Sequence, residues 1–294
     1  MTSPKTYTLE VPGAVLRYDV RRRDSSEDAI LLLIGSPMGA SGFERLADQI
    51  EDRTVVTYDP RGVDRSRRTK TAAESTPDEH ADDLSRLIGE LGAGQVDVFA
   101  SSGGAVNALA LVARHPDQVR VLVAHEPPAA QTLPDRDEAL AACRDIHETY
   151  QRSGMGPAMA KFITLVGLRG PVPADFSTRP APNPADFGMP TDDDGSRDDP
   201  LVGQNIMSCT HYRHDFAALG AASTRIVLGV GADSDGELAH RAGVAVAERL
   251  GTTPVTFPGG HGGFLGAEYG PGGDPEAFAT TLRRVLAEAS QVPA

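Results

Sequence analysis

Val96-Asp97-Val98-Phe99-Ala100-Ser101-Ser102-Gly103-Gly104 is the stretch from which the fold can be read. Residues 96–100 read as a short buried strand, and residues 103–114, rich in Ala, Leu and Val, as the helix that follows. A serine caught between strand and helix, with small residues two before and two after, is the pattern G-x-S-x-G. Small residues are needed because the strand and helix backbones pass within contact distance at such a turn. Ala100 and Gly104 meet that need around Ser102. Ser101 is a competing nucleophile, but centring the turn on it would put Phe99 at a small position, where it does not fit. The turn drives its central residue towards strained backbone angles and lifts the hydroxyl above the sheet edge. The helix N-terminus beneath it offers partial positive charge to a developing anion.

Working outward, residues 6–11 and 15–22 read as antiparallel strands joined by the Pro12-Gly13 turn. Residues 29–34 are a continuous apolar run, a strand buried on both faces, broken by Gly35-Ser36-Pro37-Met38-Gly39. A helix is predicted at 43–50, a strand at 54–58, and a helix at 78–91 with Ala81, Leu84, Leu87, Ile88 and Leu91 on one face. After the central motif comes a strand at 119–124. Strands at 225–230 and 255–257 and helices at 238–250 and 275–289 continue the alternation, which implies a parallel sheet with right-handed crossovers. Between 134 and 222 the alternation lapses. Helices are predicted there at 136–153, 156–166 and 203–219, around a Pro- and Asp-rich segment, 170–200, too polar to form a core and expected to be a long loop. The expected organisation is an α/β core in two pieces, 1–133 and 223–294, with a helical cap, 134–222, inserted between them.

A second chemical group stands near the end. Phe257-Pro258-Gly259-Gly260-His261-Gly262-Gly263-Phe264 follows the last predicted strand, and its four glycines leave the imidazole uncrowded. Open α/β sheets place their sites at the carboxyl ends of strands, where this loop falls. A histidine there can serve as general base to Ser102.

With Tyr58-Asp59-Pro60-Arg61-Gly62-Val63-Asp64-Arg65-Ser66 and His115-Pro116-Asp117-Gln118-Val119, these motifs make the chain resemble the α/β-hydrolase superfamily along nearly its whole length. The first segment looks like that superfamily's D-x-R-G-x-G-x-S loop, with Asp64 in place of the second glycine. The resemblance implies an α/β-hydrolase fold, a mostly parallel sheet flanked by helices. It also implies a triad in the order Ser, acid, His. The acid usually follows the strand at 225–230 as G-x-x-D, but Gly231-Ala232-Asp233-Ser234-Asp235 puts Ser234 there, with Asp233 and Asp235 to either side. An acid is also known after the strand that follows the elbow helix, where this chain has Ala124-His125-Glu126-Pro127-Pro128. Ser-Ser-Gly followed by His-Glu-x-Pro resembles the zearalenone lactonase branch, which implies Ser102, Glu126 and His261, with Asp233 or Asp235 as the alternative acid. That branch contacts its substrate partly through tryptophan; this chain has no Trp, so zearalenone itself is not implied. The oxyanion hole is expected from the N–H groups of Gly103 and Ser36, the latter in Ile34-Gly35-Ser36-Pro37, where Pro37 has no N–H to give.

Composition narrows the partners. The 294 residues carry a formal charge of −13, which argues against nucleic acid, since little basic surface is present to displace phosphate counterions. The run Arg65, Arg67, Arg68, Lys70 lies beside Asp59 and Asp64 and reads as a solvated loop. A neutral or mostly apolar small-molecule substrate is expected. Cys143 and Cys209 have neither disulfide-framework nor metal spacing, and His211 and His214 lack a further ligand spaced for zinc. Met155, Met159, Phe162 and Val166 follow helical spacing and are expected to face the core or the roof of a pocket. No metal and no cofactor are expected, and the lack of a phosphate loop argues against nucleotide use. No signal pattern or membrane-length apolar run occurs, so a cytoplasmic location is expected, with homo-oligomerisation left open. The leading activity is hydrolysis of a carboxylic ester or lactone. Carbon–carbon bond hydrolysis, cofactor-independent perhydrolysis and silent small-molecule binding are the alternatives. A serine at the elbow argues against haloalkane and epoxide chemistry, which in this superfamily uses aspartate.

Overall fold

A computed structural model describes residues 4–22, 29–69, 75–269 and 272–289; Lys70 of the basic run lies outside them. The chain forms β1 (Lys5–Val11), β2 (Ala14–Arg21), β3 (Ile30–Ile34), α1 (Glu44–Asp48), β4 (Thr54–Asp59), β5 (Arg67–Arg68), α2 (Pro77–Leu91), β6 (Val96–Ser101), α3 (Gly103–Arg114) and β7 (Val119–His125). Then come α4 (Arg136–Ser153), α5 (Met155–Val166), α6 (Ile206–Thr210), α7 (Phe216–Ala221), β8 (Arg225–Gly231), α8 (Leu238–Arg249), β9 (Val255–Phe257) and α9 (Pro275–Ala289). The strands make one sheet in the order β1-β2-β4-β3-β6-β7-β8-β9, with β5 against β2. From β4 to β9 neighbouring strands are parallel; β1, β2 and β5 pair antiparallel at one end. Among the described residues no helix is long and apolar enough to cross a membrane.

The apolar runs of the inner strands feed two cores. Leu32, Ile34, Val98, Ala100, Leu122 and Ala124 face α2, α3 and α8, while Leu31, Leu33, Phe99, Val121 and Val123 face α1 and α9. Alternation at period two explains why these strands read as unbroken hydrophobic stretches: each residue is buried on one face or the other. Local signals end the helices as well. Thr76 and Glu79 cap α2 reciprocally, Pro77 occupies its first turn, and Gly92 closes it at φ 68°.

Two expectations need correction. The helix predicted at 43–50 is a 3-10 turn, Ala40–Phe43, followed by the short α1. The helix predicted at 203–219 is three pieces: a π turn, Leu201–Asn205, then α6, then a break before α7. Asp215 causes the restart by accepting from the Ala218 N–H, which begins a new helix where periodicity alone would continue the old one. The segment 170–200 contains only two 3-10 turns, yet it is tied to α4, Arg197 bridging Asp193 and donating to the Gln151 carbonyl. Arg65 and Arg67 of the basic run are exposed and Arg68 is half-buried. Arg65 holds Asp19 and Asp59, and Arg61 lies buried on Asp83.

Asp64, which replaces a glycine of the superfamily's loop, sits at φ 46°, a conformation that favours glycine. Burial and the neighbouring Asp59 carboxylate push its carboxyl above the usual range. Its ionised form therefore costs the fold stability above the unfolded-state pKa and not below it. Asp64→Gly is expected to stabilise the protein by about 1 kcal/mol, more at pH 7 than at pH 4; urea midpoints at the two pH values check this.

Candidate active site

Ser102 stands between β6 and α3 at φ 58°, ψ −130°, a strained conformation for a residue with a side chain. Its N–H donates to the His125 carbonyl at 3.0 Å, and its carbonyl accepts from Ala105 N–H at 2.9 Å. Tight packing leaves little freedom to relax. A Cβ at Gly103 would lie 2.5 Å from the Ser36 carbonyl oxygen, and one at Gly104 2.5 Å from that of Ile34. The glycines of the motif are thus required sterically. Ser101, the competitor, is 2% exposed, its Oγ 3.5 Å from His125 Nδ1. Ser102 instead lines a cavity.

Glu126 is the first residue beyond β7 and is fully buried. Its Oε2 accepts from His261 Nδ1 at 2.7 Å, and its Oε1 accepts from Gly231 N–H at 2.8 Å and from the Ser234 hydroxyl. Burial pushes its pKa up, but the bond from His261, the nearby His125 and His261 rings and the Ser234 hydroxyl outweigh this and hold it at about 2. Asp233 and Asp235 are exposed, and Asp235 faces His240 at 3.6 Å rather than His261. The position after β8 that would carry an acid therefore carries a hydroxyl that donates to Glu126.

His261 projects from the loop after β9 with its side chain 41% exposed. It shares a cavity of about 200 Å³ with Ser36, Ser102 and Gly103. Among the described residues no hydrogen bond joins Ser102 to His261. The opposite wall comes from the insertion between β7 and β8: Phe162, Leu165 and Val166 on α5, Leu201 and Asn205 in the π turn, and Ile206 and Cys209 on α6. Phe162 and Val166 thus reach the cavity as the helical spacing suggested, while Met155 and Met159 pack on the core. Glu237, at the start of α8, adds a carboxyl to the wall. Burial raises the Cys209 thiol to about 12, so it stays protonated. His214 lies outside this cavity, its ring against Tyr212 and Phe216.

Four residues of the site escaped the sequence reading. Asn205 carries no motif, and Ser234 stands at the usual acid position without an acid's side chain. His240, on α8, lies 3.6 Å from Glu126 Oε1. His125 is sealed behind the site among Phe99, Phe257 and Phe278, and burial lowers its pKa to about 4, so the ring is neutral near pH 7. His125 and Ser234 had a visible signal, the one as the neighbour of Glu126 and the other at the usual acid position of the quoted segments.

Residues 28–146 match the family described as the alpha/beta hydrolase fold, a span that includes Ser36, Ser102 and Glu126 and ends before His261. The uncharacterized hydrolase YraK of Bacillus subtilis (strain 168) is 32% identical over 264 residues, covering 87% of this chain and 89% of that protein. A 2-(acetamidomethylene)succinate hydrolase of Mesorhizobium japonicum is 33% identical over 104 residues, 35% of this chain and 37% of that one. Among solved structures, a thermophilic esterase from Thermogutta terrifontis superposes with a TM-score of 0.66 at 20% identity, covering 98% of this chain and 99% of its own. The enol-lactonase from Burkholderia xenovorans LB400 gives 0.63 at 17%, covering 96% and 100%. At such identities the likeness is one of fold.

The depressed Glu126 pKa has a consequence for stability. A carboxyl held lower in the folded state contributes stability above its unfolded value, and that contribution is lost as pH falls through the folded value. Between about pH 4.5 and pH 2 the protein is expected to lose on the order of 3 kcal/mol from this group. Glu126→Gln should flatten that part of the slope, which denaturant midpoints across the range would record.

Proposed function

The chain belongs to the α/β-hydrolase family, and from that premise we propose that it hydrolyses a carboxylic ester or lactone of a small neutral substrate through an acyl-enzyme on Ser102. What carries the reading is the pairing of a strained serine with a histidine on one cavity wall, that histidine backed by a buried carboxylate at 2.7 Å.

His261 takes the Ser102 proton as the hydroxyl oxygen attacks the substrate carbonyl. Glu126, accepting from Nδ1, leaves Nε2 as the proton acceptor and stabilises the imidazolium that forms. The N–H groups of Ser36 and Gly103 receive the oxyanion; the latter lies in the first turn of α3, where N–H groups have no intrahelical partner. The proton passes from His261 to the leaving alkoxide. Water, deprotonated by the same ring, then releases the acid and regenerates the serine. Residues 134–222 act as the cap that excludes bulk water from this chemistry.

The cavity's chemistry supports a small, neutral acyl group. Its walls are mostly aliphatic and aromatic, and its volume falls below the range typical of drug-sized ligands. A carboxylate-bearing acyl chain would meet Glu237, whose own carboxyl is already pushed up by burial and by Glu126.

Wild type is expected to turn over p-nitrophenyl acetate or butyrate and to be labelled by a fluorophosphonate probe. Ser102→Ala should abolish both; undiminished labelling would reject Ser102 as the nucleophile. Glu126→Ala should lower kcat by roughly 10⁴-fold, the scale seen when a triad acid is lost. Asp233→Ala and Asp235→Ala should stay within a few-fold of wild type. A larger loss from either aspartate would move the acid there.

A further inference from the structure

The cavity wall holds a polar contact that the reaction as described does not use. Asn205 Nδ2 donates to Ser36 Oγ at 2.7 Å, across 169 residues of chain, and both residues are buried (7% and 3% exposed). One partner belongs to the insertion, the other to the loop after β3. Building on the serine-hydrolase reading, we propose that Asn205 is a positioning residue: through the Ser36 hydroxyl it fixes the Ser36 main-chain N–H that receives the oxyanion.

Both sides of the contact are built to be rigid. Asn205 closes the π turn Leu201–Asn205, its N–H donating to the Pro200 carbonyl at 3.0 Å. Leu201 and Asn205, four residues and about one turn apart, both line the cavity. Asp199 Oδ1 accepts from the N–H groups of Leu201 and Val202 at 2.9 and 2.8 Å. Tyr150 OH accepts from Asp199 N–H at 2.9 Å, and His147 Nδ1 donates to the Val202 carbonyl at 3.0 Å, so α4 holds the turn at two points. Opposite, the Ser36 carbonyl lies against Gly103 so closely that a Cβ there would meet it at 2.5 Å. Ser36 is therefore held from behind by the elbow and from the front by the Asn205 amide. The Ser36 N–H is carried by a residue restrained at both its carbonyl and its side chain, and an oxyanion donor stabilises charge only if it is already aimed.

The contact also makes the oxyanion site depend on the insertion. Asn205 is the only side-chain hydrogen-bond partner of Ser36 among the described residues.

The test is a double-mutant cycle on a p-nitrophenyl ester, with inhibition by a trifluoromethyl ketone, which forms a tetrahedral oxyanion on the serine. Asn205→Ala and Ser36→Ala are each expected to lower kcat about ten- to a hundredfold, with KM within about threefold, and to weaken the ketone in parallel. Ser36→Ala/Asn205→Ala should be no worse than either single variant, because both remove one contact. Losses that multiply in the double variant would mean that Asn205 acts on substrate directly and would overturn the proposal. So would a kcat that stays at the wild-type level while only the melting temperature falls, the mark of a merely structural bond. Should Asn205→Ala fail to fold, Ser36→Ala, which deletes a single hydroxyl, makes the same test from the other partner. Wild type that neither hydrolyses esters nor is labelled by fluorophosphonate would remove the serine-hydrolase reading itself. An active, labelled wild type with unchanged Ser36→Ala kcat removes the positioning role alone.

Discussion

A carboxylate sealed from water is the constraint on which the rest of this site depends. An ionised Glu126 without partners would be too costly to bury and would take up a proton instead. It stays ionised because three donors from three places meet it: Gly231 N–H at the end of β8, the Ser234 hydroxyl in the turn beyond, and His261 Nδ1 in the loop after β9. The charge is satisfied only when these elements stand in their final register. The same contact sets the histidine, because an imidazole that donates from Nδ1 to a carboxylate presents Nε2 as an acceptor to the cavity.

The backbone solves a matching problem at the sheet edge. Ser102 and Glu126 leave adjacent parallel strands at φ 58° and 46°, both in the region that disfavours side chains. Each keeps its N–H bonded to the next strand over, Ser102 to the His125 carbonyl and Glu126 to that of Gly229, both at 3.0 Å. The sheet's own ladder thus holds two strained residues at the candidate site. Strain of this kind persists only where the surroundings over-determine it.

Behind the pair the environment is dry. Neutral His125, packed among Phe99, Phe257 and Phe278, excludes water from the back of Glu126 and keeps the local dielectric low. In front, the insertion supplies aliphatic wall and one amide. Protein groups thus surround the Glu126–His261 pair on one side and leave a small opening on the other.

Much of this was legible in the residues. Period-two burial made the inner strands visible as apolar runs, and the small residues around Ser102 announced a close approach of strand and helix, because both are local consequences of backbone geometry. His261 stood out because four glycines leave it uncrowded. Only the tertiary structure shows that Glu126, rather than the aspartates at 233 and 235, meets His261, since that contact joins residues 135 apart and no local pattern measures such a distance. It likewise decided that residues 201–221 break into a π turn and two short helices, because a capping aspartate and a docked π turn compete with a periodicity that would have run straight on. Local sterics are written in neighbouring residues; convergence across the sheet exists only once the chain has closed on itself.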